Sequence, residues 1–277
     1  MKPISRIDDS KNLLFYRGFD ATELSRNHSF EEVFYILLNG EPPSNAELKE
    51  IFQKLIDLRK YYTTDLTSLA DLARNLGQLK DHDQLTCHDT LLTFVSLAPL
   101  IIANKFGKYH NRKIERPNNR LGHVANFLWM IQERIPSDTD VKDVETLLIL
   151  HMDDPSNPSL SALHSFVKDG KSISEALLAA LAVHIEPMHH GAGTEAMVMF
   201  EEIKQTINLE DYLKKRLDSG KKIFGLGHRV YRGTDPRAIV LREILERRTR
   251  NSANEWLLEV IDRVKRRIQC LKESQEY

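Results

Sequence analysis

Cysteine is nearly absent: Cys87 and Cys270 are the two in 277 residues. Two thiols do not make a disulfide framework, so a reducing compartment, the cytoplasm, is expected. Turn-formers are also scarce, with 12 glycines and 10 prolines, below the roughly 12% of an average chain. That argues against a many-stranded sandwich or barrel and for long helices. Long apolar runs are missing too. The longest uncharged stretch, Thr90–Asn104, has 15 residues and contains Pro99, short of the ~18–20 that a membrane span needs. Near the start, Ile7-Asp8-Asp9-Ser10-Lys11 interrupts any signal-peptide apolar core. No membrane association is therefore expected. A large net charge is lacking as well, with 39 Lys+Arg against 40 Asp+Glu.

What is present suits a folded soluble chain: 41% hydrophobic and 29% charged residues. The length fits one large or two ordinary domains. Charge is unevenly distributed. Tyr212–Tyr277 holds 17 basic and 9 acidic residues, a net of +8, which leaves −9 on the first 211. Such a basic part suits a polyanion, either nucleic acid or a small phosphorylated ligand, or else is a solvated helical face.

Helical periodicity dominates. Ser29-Phe30-Glu31-Glu32 reads as a capping box that opens a helix ending at Asn39-Gly40. Ser44-Asn45-Ala46-Glu47 opens a second, with Leu48, Ile51, Phe52, Leu55 and Ile56 on one face. Further helical patterns cover 66–76, 89–104, 119–132, 141–151, 160–167 and 174–184. A last apolar stripe carries Trp256, Leu257, Ile261, Val264, Ile268 and Leu271. Leu13-Leu14-Phe15-Tyr16 before Arg17-Gly18 is the single strand-like signal and predicts a small hairpin. Breaks fall at His184–Thr194 and Ser219–Pro236.

Of eleven histidines, His28, His82 and His110 stand in polar contexts, and His88, His123 and His164 fall in helical patterns as structural residues. No Cys-x-x-Cys or His-Glu-x-x-His spacing offers a metal site. Two loops differ. Glu186-Pro187-Met188-His189-His190-Gly191-Ala192-Gly193-Thr194-Glu195 sets histidine beside small residues before a helix, where a ligand can reach both backbone and imidazole. Gly225-Leu226-Gly227-His228-Arg229-Val230-Tyr231-Arg232, followed by Asp235-Pro236-Arg237, joins two glycines, a histidine and arginines. Gly-x-Gly alone is a weak nucleotide signal without a third glycine and a preceding strand. Exposed histidines with arginines suit carbonyl chemistry on an anionic substrate.

At these residues the chain resembles the citrate synthase family. His190–Glu195 resembles His-Gly-Gly-Ala-Asn-Glu, and 225–232 with 235–237 resembles Gly-Phe-Gly-His-Arg-Val-Tyr-Lys and Asp-Pro-Arg nearly residue for residue. Ile4–Asp8, Leu14–Asp20, Ser29–Val33 and Asn126–Met130 agree as well, so the likeness runs from residue 4 to about 243. It implies an all-α fold with a large helical domain, 1–192, and a small one, 193–277, closing over oxaloacetate and acetyl-CoA in a homodimer. His190 would hydrogen-bond the thioester oxygen and stabilise the enol, and His228 would bind and protonate the oxaloacetate carbonyl. Arg237 and His151 would bind substrate, and Gly225, Leu226, Gly227 and Arg232 would face CoA. The CoA thioester is a co-substrate, no cofactor is tightly bound, and no metal is implied. The +8 part then needs no nucleic acid. Substrates would be an acyl-CoA and a 2-oxo dicarboxylate, in tricarboxylic acid cycle chemistry.

There are departures. The family's His-x-Asp-His-Glu-x-Asn-x-Ser reads His151-Met152-Asp153-Asp154-Pro155-Ser156-Asn157-Pro158-Ser159, with Asp154 in place of a histidine that contacts oxaloacetate. Only the 49 residues 229–277 follow His228. The family's Asp-Phe-Tyr-Ser-Gly segment, whose aspartate removes the methyl proton, is not among them, nor are the later arginines. Asp262 lies in a basic amphipathic helix and is not assigned that role. Three functions follow: a synthase-type acyltransferase, a catalytically impaired paralogue that binds CoA or carboxylates as a regulatory subunit, and, on charge alone, a nucleic-acid binder.

Overall fold

The computed structural model describes residues 3–61, 68–83, 86–186, 191–224, 231 and 234–273. They fall into two compact units, Met1–His184 and Ile185–Tyr277. Among the described residues there are thirteen α-helices and one small antiparallel sheet, so the helical expectation holds.

The sheet is larger than the expected hairpin by one short strand. β1 (Ser5–Asp8) pairs with β2 (Leu13–Tyr16), in the register Ser5↔Tyr16 to Asp8↔Leu13, and β2 pairs with β3 (Phe19–Asp20). The third strand follows from Arg17 (φ 50°) and Gly18 (φ 94°), a two-residue left-handed turn that folds Phe19 back beside Tyr16. Arg17 is held there by its amide on the Ile4 carbonyl (2.8 Å) and its Nε on the Leu37 carbonyl (2.9 Å). Asp20 then caps α1 (Ala21–Asn27), accepting the Thr22 amide at 2.7 Å.

Both capping boxes form. At α2 (Phe30–Asn39), Ser29 Oγ accepts the Glu32 amide and Glu32 accepts the Ser29 amide at 2.7 Å. Gly40, at φ 93°, closes the helix. At α3 (Asn45–Tyr61), Glu47 accepts the Ser44 amide at 2.8 Å. The other helices of the first unit match the sequence patterns but differ at their ends, because caps rather than apolar residues set the ends. They are α4 (Leu69–Asp83), α5 (Cys87–His110), α6 (His123–Gln132), α7 (Asp138–Ile149), α8 (Pro158–Lys168) and α9 (Ile173–His184). Helix α7 starts before the 141–151 pattern because Ser137 Oγ accepts the Asp140 amide. Asn157 and Pro158 likewise start α8 early.

The expectation for the longest apolar stretch needs correction. Thr86 caps one end of α5 and Asn111, in the left-handed region, the other. Residues His88–His110 therefore form a helix of 23 residues, long and apolar enough to cross a membrane. Half of its apolar window is buried inside the unit, where Leu97 and Ile101 pack against Leu72 and Leu76 of α4.

Among the described residues, three buried serine or threonine hydroxyls cross between helices of this unit. Ser96 Oγ of α5 donates to the Leu55 carbonyl of α3 at 2.6 Å, and Ser174 Oγ of α9 donates to the Ala73 carbonyl of α4. Thr146 Oγ1 of α7 donates to the Ser25 carbonyl of α1 at 3.0 Å. Gly107, near the end of α5, is forced by contact. A Cβ there would lie 2.7 Å from both the Arg112 carbonyl oxygen and Ile114 Cγ2. Gly107→Ala should destabilise the fold by about 1–3 kcal/mol through overpacking. Urea unfolding is the check, and unchanged stability would mean that 112–114 swings away freely.

A buried polar cluster sits among the apolar residues of α2, α3, α6 and α7. Glu31, Arg59, His123 and Glu145 are all buried. Glu31 Oε1 accepts the His123 amide at 2.7 Å, at the positive end of α6. This seat requires Gly122, since a Cβ there would be 2.9 Å from Glu31 Oε1. The His123 ring stacks on Phe30, with centroids 4.5 Å apart and planes at 9°. Burial, then the charge of Arg59, pushes His123 down to about 3. Burial lowers Arg59 to about 10, partly opposed by the charge of Glu31. Glu145 accepts the Phe30 amide at 3.2 Å, and burial raises its carboxyl. Among the described residues, His123 Nδ1 and Arg59 Nη1 find no hydrogen-bond partner.

The second unit comprises α10 (Gly191–Lys204), α11 (Leu209–Asp218), α12 (Pro236–Thr249) and α13 (Trp256–Glu273). Its core is Met199 and Ile203 of α10 against Val260 and Val264 of α13, flanked by Phe224, Trp256 and Ile268. Of the expected stripe Trp256, Val264 and Ile268 pack in this core, joined by Val260, while Leu257 and Ile261 are not part of it.

Candidate active site

Arg237 stands in the first turn of α12. Asp235 caps that helix, accepting the Arg237 amide at 2.9 Å, with Pro236 at the first helical position. The same carboxylate receives the Arg237 side chain, Nε at 3.0 and 3.1 Å and Nη2 at 2.7 Å. The guanidinium is 12% exposed and lies 5.9 Å from the Tyr231 ring centroid. A single aspartate thus starts the helix and aims the arginine. This partner was missed in the sequence reading, although Asp-Pro at a helix start was the available signal.

His151 follows α7 and is exposed. Its Nδ1 lies 2.7 Å from the Leu147 carbonyl. A carbonyl only accepts, so Nδ1 carries the hydrogen and Nε2 is the nitrogen left for a ligand. Asp154, in place of the family's histidine, is engaged locally: its Oδ1 accepts the Ser156 amide at 2.8 Å and hydroxyl at 2.6 Å. That turn leads into Asn157, which caps α8. The neighbouring Asp153 is half-buried, and burial raises its carboxyl.

His151 belongs to the first unit and Arg237 to the second. His190, Gly225, Leu226, Gly227, His228 and Arg232 lie outside the described residues. Asp262 is tied to Arg242 by two hydrogen bonds of 2.7 and 2.9 Å, which hold its carboxyl below the ordinary range. A carboxylate held this way is a poor proton acceptor. Among the described residues no three His, Cys, Asp or Glu side chains gather as a metal site.

A family model described as the citrate synthase C-terminal domain matches residues 2–276. The chain belongs to the citrate synthase family. It is 29% identical over 263 residues to a citrate synthase of Synechocystis, covering 88% of this chain and 66% of that protein. Its identity to the citrate synthase of Acidithiobacillus ferridurans is 30% over 269 residues, covering 88% and 69%. It is also 28% identical to a 2-methylcitrate synthase of Mycobacterium tuberculosis over 270 residues, covering 92% and 69%. Among solved structures, the citrate synthase of Thermotoga maritima superposes with a TM-score of 0.80 at 27% identity, covering 96% of this chain and 76% of that one. The same fold appears in the citrate synthase of Thermoplasma acidophilum, a ternary complex with carboxymethyl coenzyme A and oxaloacetate (TM-score 0.81, 23% identity, covering 98% and 76%). The chain spans about two thirds of the length of these curated relatives.

Proposed function

We propose that this chain carries out citrate synthase-type condensation, joining acetyl-CoA or another short acyl-CoA to oxaloacetate or a related 2-oxo acid, as a homodimer. The supporting observation is that the family match runs through both histidine motifs and Asp235-Pro236-Arg237. His190 donates a hydrogen bond to the thioester oxygen, where charge builds as the methyl proton passes to a general base. The resulting enol carbon attacks the 2-oxo carbonyl carbon, and His228 delivers a proton to that carbonyl oxygen. Arg237, aimed by Asp235, holds a substrate carboxylate. His151, with Nδ1 on the Leu147 carbonyl, keeps Nε2 available for substrate. Gly225, Leu226, Gly227 and Arg232 lie along CoA, where the basic charge of 212–277 meets its phosphates. Hydrolysis of the thioester then frees CoA. Asp262, locked to Arg242, is not the acceptor of the methyl proton.

Thiol release tests this directly. With oxaloacetate and either acetyl-CoA or propionyl-CoA, turnover should require both substrates and fall at least ~10²-fold in His228→Ala, with an unchanged melting curve. A folded protein that releases no thiol from either thioester would overturn the proposal. The relation to a 2-methylcitrate synthase makes propionyl-CoA the informative second donor.

A further inference from the structure

Within the acidic part of the chain lies a basic island. Residues 105–116 hold Lys105, Lys108, Arg112, Lys113 and Arg116 against one acid, Glu115, while the first 211 residues carry −9 overall. All five cations are exposed, and among the described residues none of them makes an ion pair. An ordinary solvated surface intersperses the two signs.

Three of the five converge. Lys108, Arg112 and Lys113, with Asn104, Asn111 and Ile114, line a cavity of about 370 Å³ at the end of α5. That lies within the size range of small-ligand pockets. Its frame is rigid. Asn111 holds the left-handed cap, the Arg112 amide donates to the Gly107 carbonyl at 2.8 Å, and Gly107 admits the returning backbone. Beside it stand two rings, Tyr109, 86% exposed, and His110, set edge-on at 5.0 Å and itself against Phe106 at 4.4 Å. The helix end accounts for some positive charge, since its carbonyls amount to about half an elementary negative charge. Five cations far exceed that need.

We infer that the cavity at the end of α5 binds a small polyphosphate, either inorganic or as a nucleotide whose base stacks on Tyr109. Lys108, Arg112 and Lys113 supply charge-assisted hydrogen bonds to the phosphate oxygens. Asn111 and Asn104 add neutral ones, and the exposed ring offers a face to a base. This site is separate in sequence from the 225–232 loop and does not rest on the proposed activity.

Calorimetric titration of the full chain with sodium triphosphate, and separately with ATP, tests it. Saturable binding at one site per chain is expected, weakening as salt rises. Affinity should fall at least ~10-fold in Lys108→Glu and further in Lys108→Glu/Arg112→Glu, with melting curves lowered no further than the reversed charge at the helix end explains. ATP binding tighter than triphosphate, with the difference abolished by Tyr109→Ala, supports the nucleotide source. Equal affinities support the inorganic one. Absence of saturable binding, or equal affinity in the folded double variant, would overturn the inference. So would binding of a mixed-sequence single-stranded RNA with none of triphosphate, since the patch would then follow a nucleic-acid backbone.

Discussion

Acidification from pH 7 to pH 4 should remove about 3 kcal/mol from the stability of the first unit through His123 alone. The folded chain holds this imidazole neutral down to about 3, whereas the unfolded chain protonates it near 6.5. Between those values the unfolded state binds a proton that the folded state refuses. Each pH unit in that window favours unfolding by about 1.4 kcal/mol. The stabilisation is complete above 6.5, is lost as pH falls, and is gone near 3. Glu145 acts in the opposite direction. Its carboxyl is raised by burial, so the folded chain keeps that proton to higher pH and gains stability as pH falls through the raised value. The difference between wild type and His123→Gln isolates the histidine. Trp129 lies in α6 and Trp256 in α13, so a Trp256→Phe background leaves one fluorophore reporting the first unit. Urea unfolding at pH 7, 5.5 and 4 should show a wild-type slope steeper by nearly one proton. Parallel slopes would mean that His123 titrates like an exposed histidine.

Glu31→Gln should destabilise that unit by about 1–3 kcal/mol. The amide oxygen of Gln can still accept the His123 amide, so the α6 cap survives in this variant. What disappears is the negative charge facing a guanidinium that is 4% exposed and already lowered by burial. A buried cation that loses a nearby negative charge is costlier to keep ionised. Adding Arg59→Met should therefore recover most of the loss, because the orphaned charge goes with the side chain. The same Trp129 signal measures all three variants. Additive losses in the double variant would show that Glu31 and Arg59 are not coupled.

This cluster also shows where sequence reading ends. Glu31 and Glu32 are adjacent and look alike as first-turn acids. Glu32 completes the capping box at the surface, which a four-residue motif is enough to predict. Glu31 points about 100° away around the helix and is buried only because α6, some ninety residues later, brings its glycine-led start against it. No local signal carries that. The same division holds elsewhere. The existence of α2–α9 and α13 was legible from periodicity, whereas α1, α11 and α12 matched no pattern and the extra reach of α5 depended on Thr86 and Asn111 as caps. The third strand depended on a left-handed Arg17, which its residue type does not announce. At the site, the arginine was legible from its motif. The aspartate that aims it was not, because its side chain does two jobs and the sequence pattern suggests only the capping one.

The hydroxyl links among the helices have a consequence for how firmly the first unit is indexed along its helix axes. Leu, Ile and Val faces grip sideways but discriminate poorly between axial positions. A helix displaced by one turn, about 5.4 Å, presents a similar apolar surface to its neighbour. A serine or threonine hydroxyl reaches one particular carbonyl, and after such a slip that carbonyl is out of range and the buried hydroxyl is stranded. Ser96 on Leu55, Ser174 on Ala73 and Thr146 on Ser25 therefore work like detents on three sliding pairs, α5 on α3, α9 on α4 and α7 on α1. They turn a continuum of nearly equivalent packings into a single clicked position.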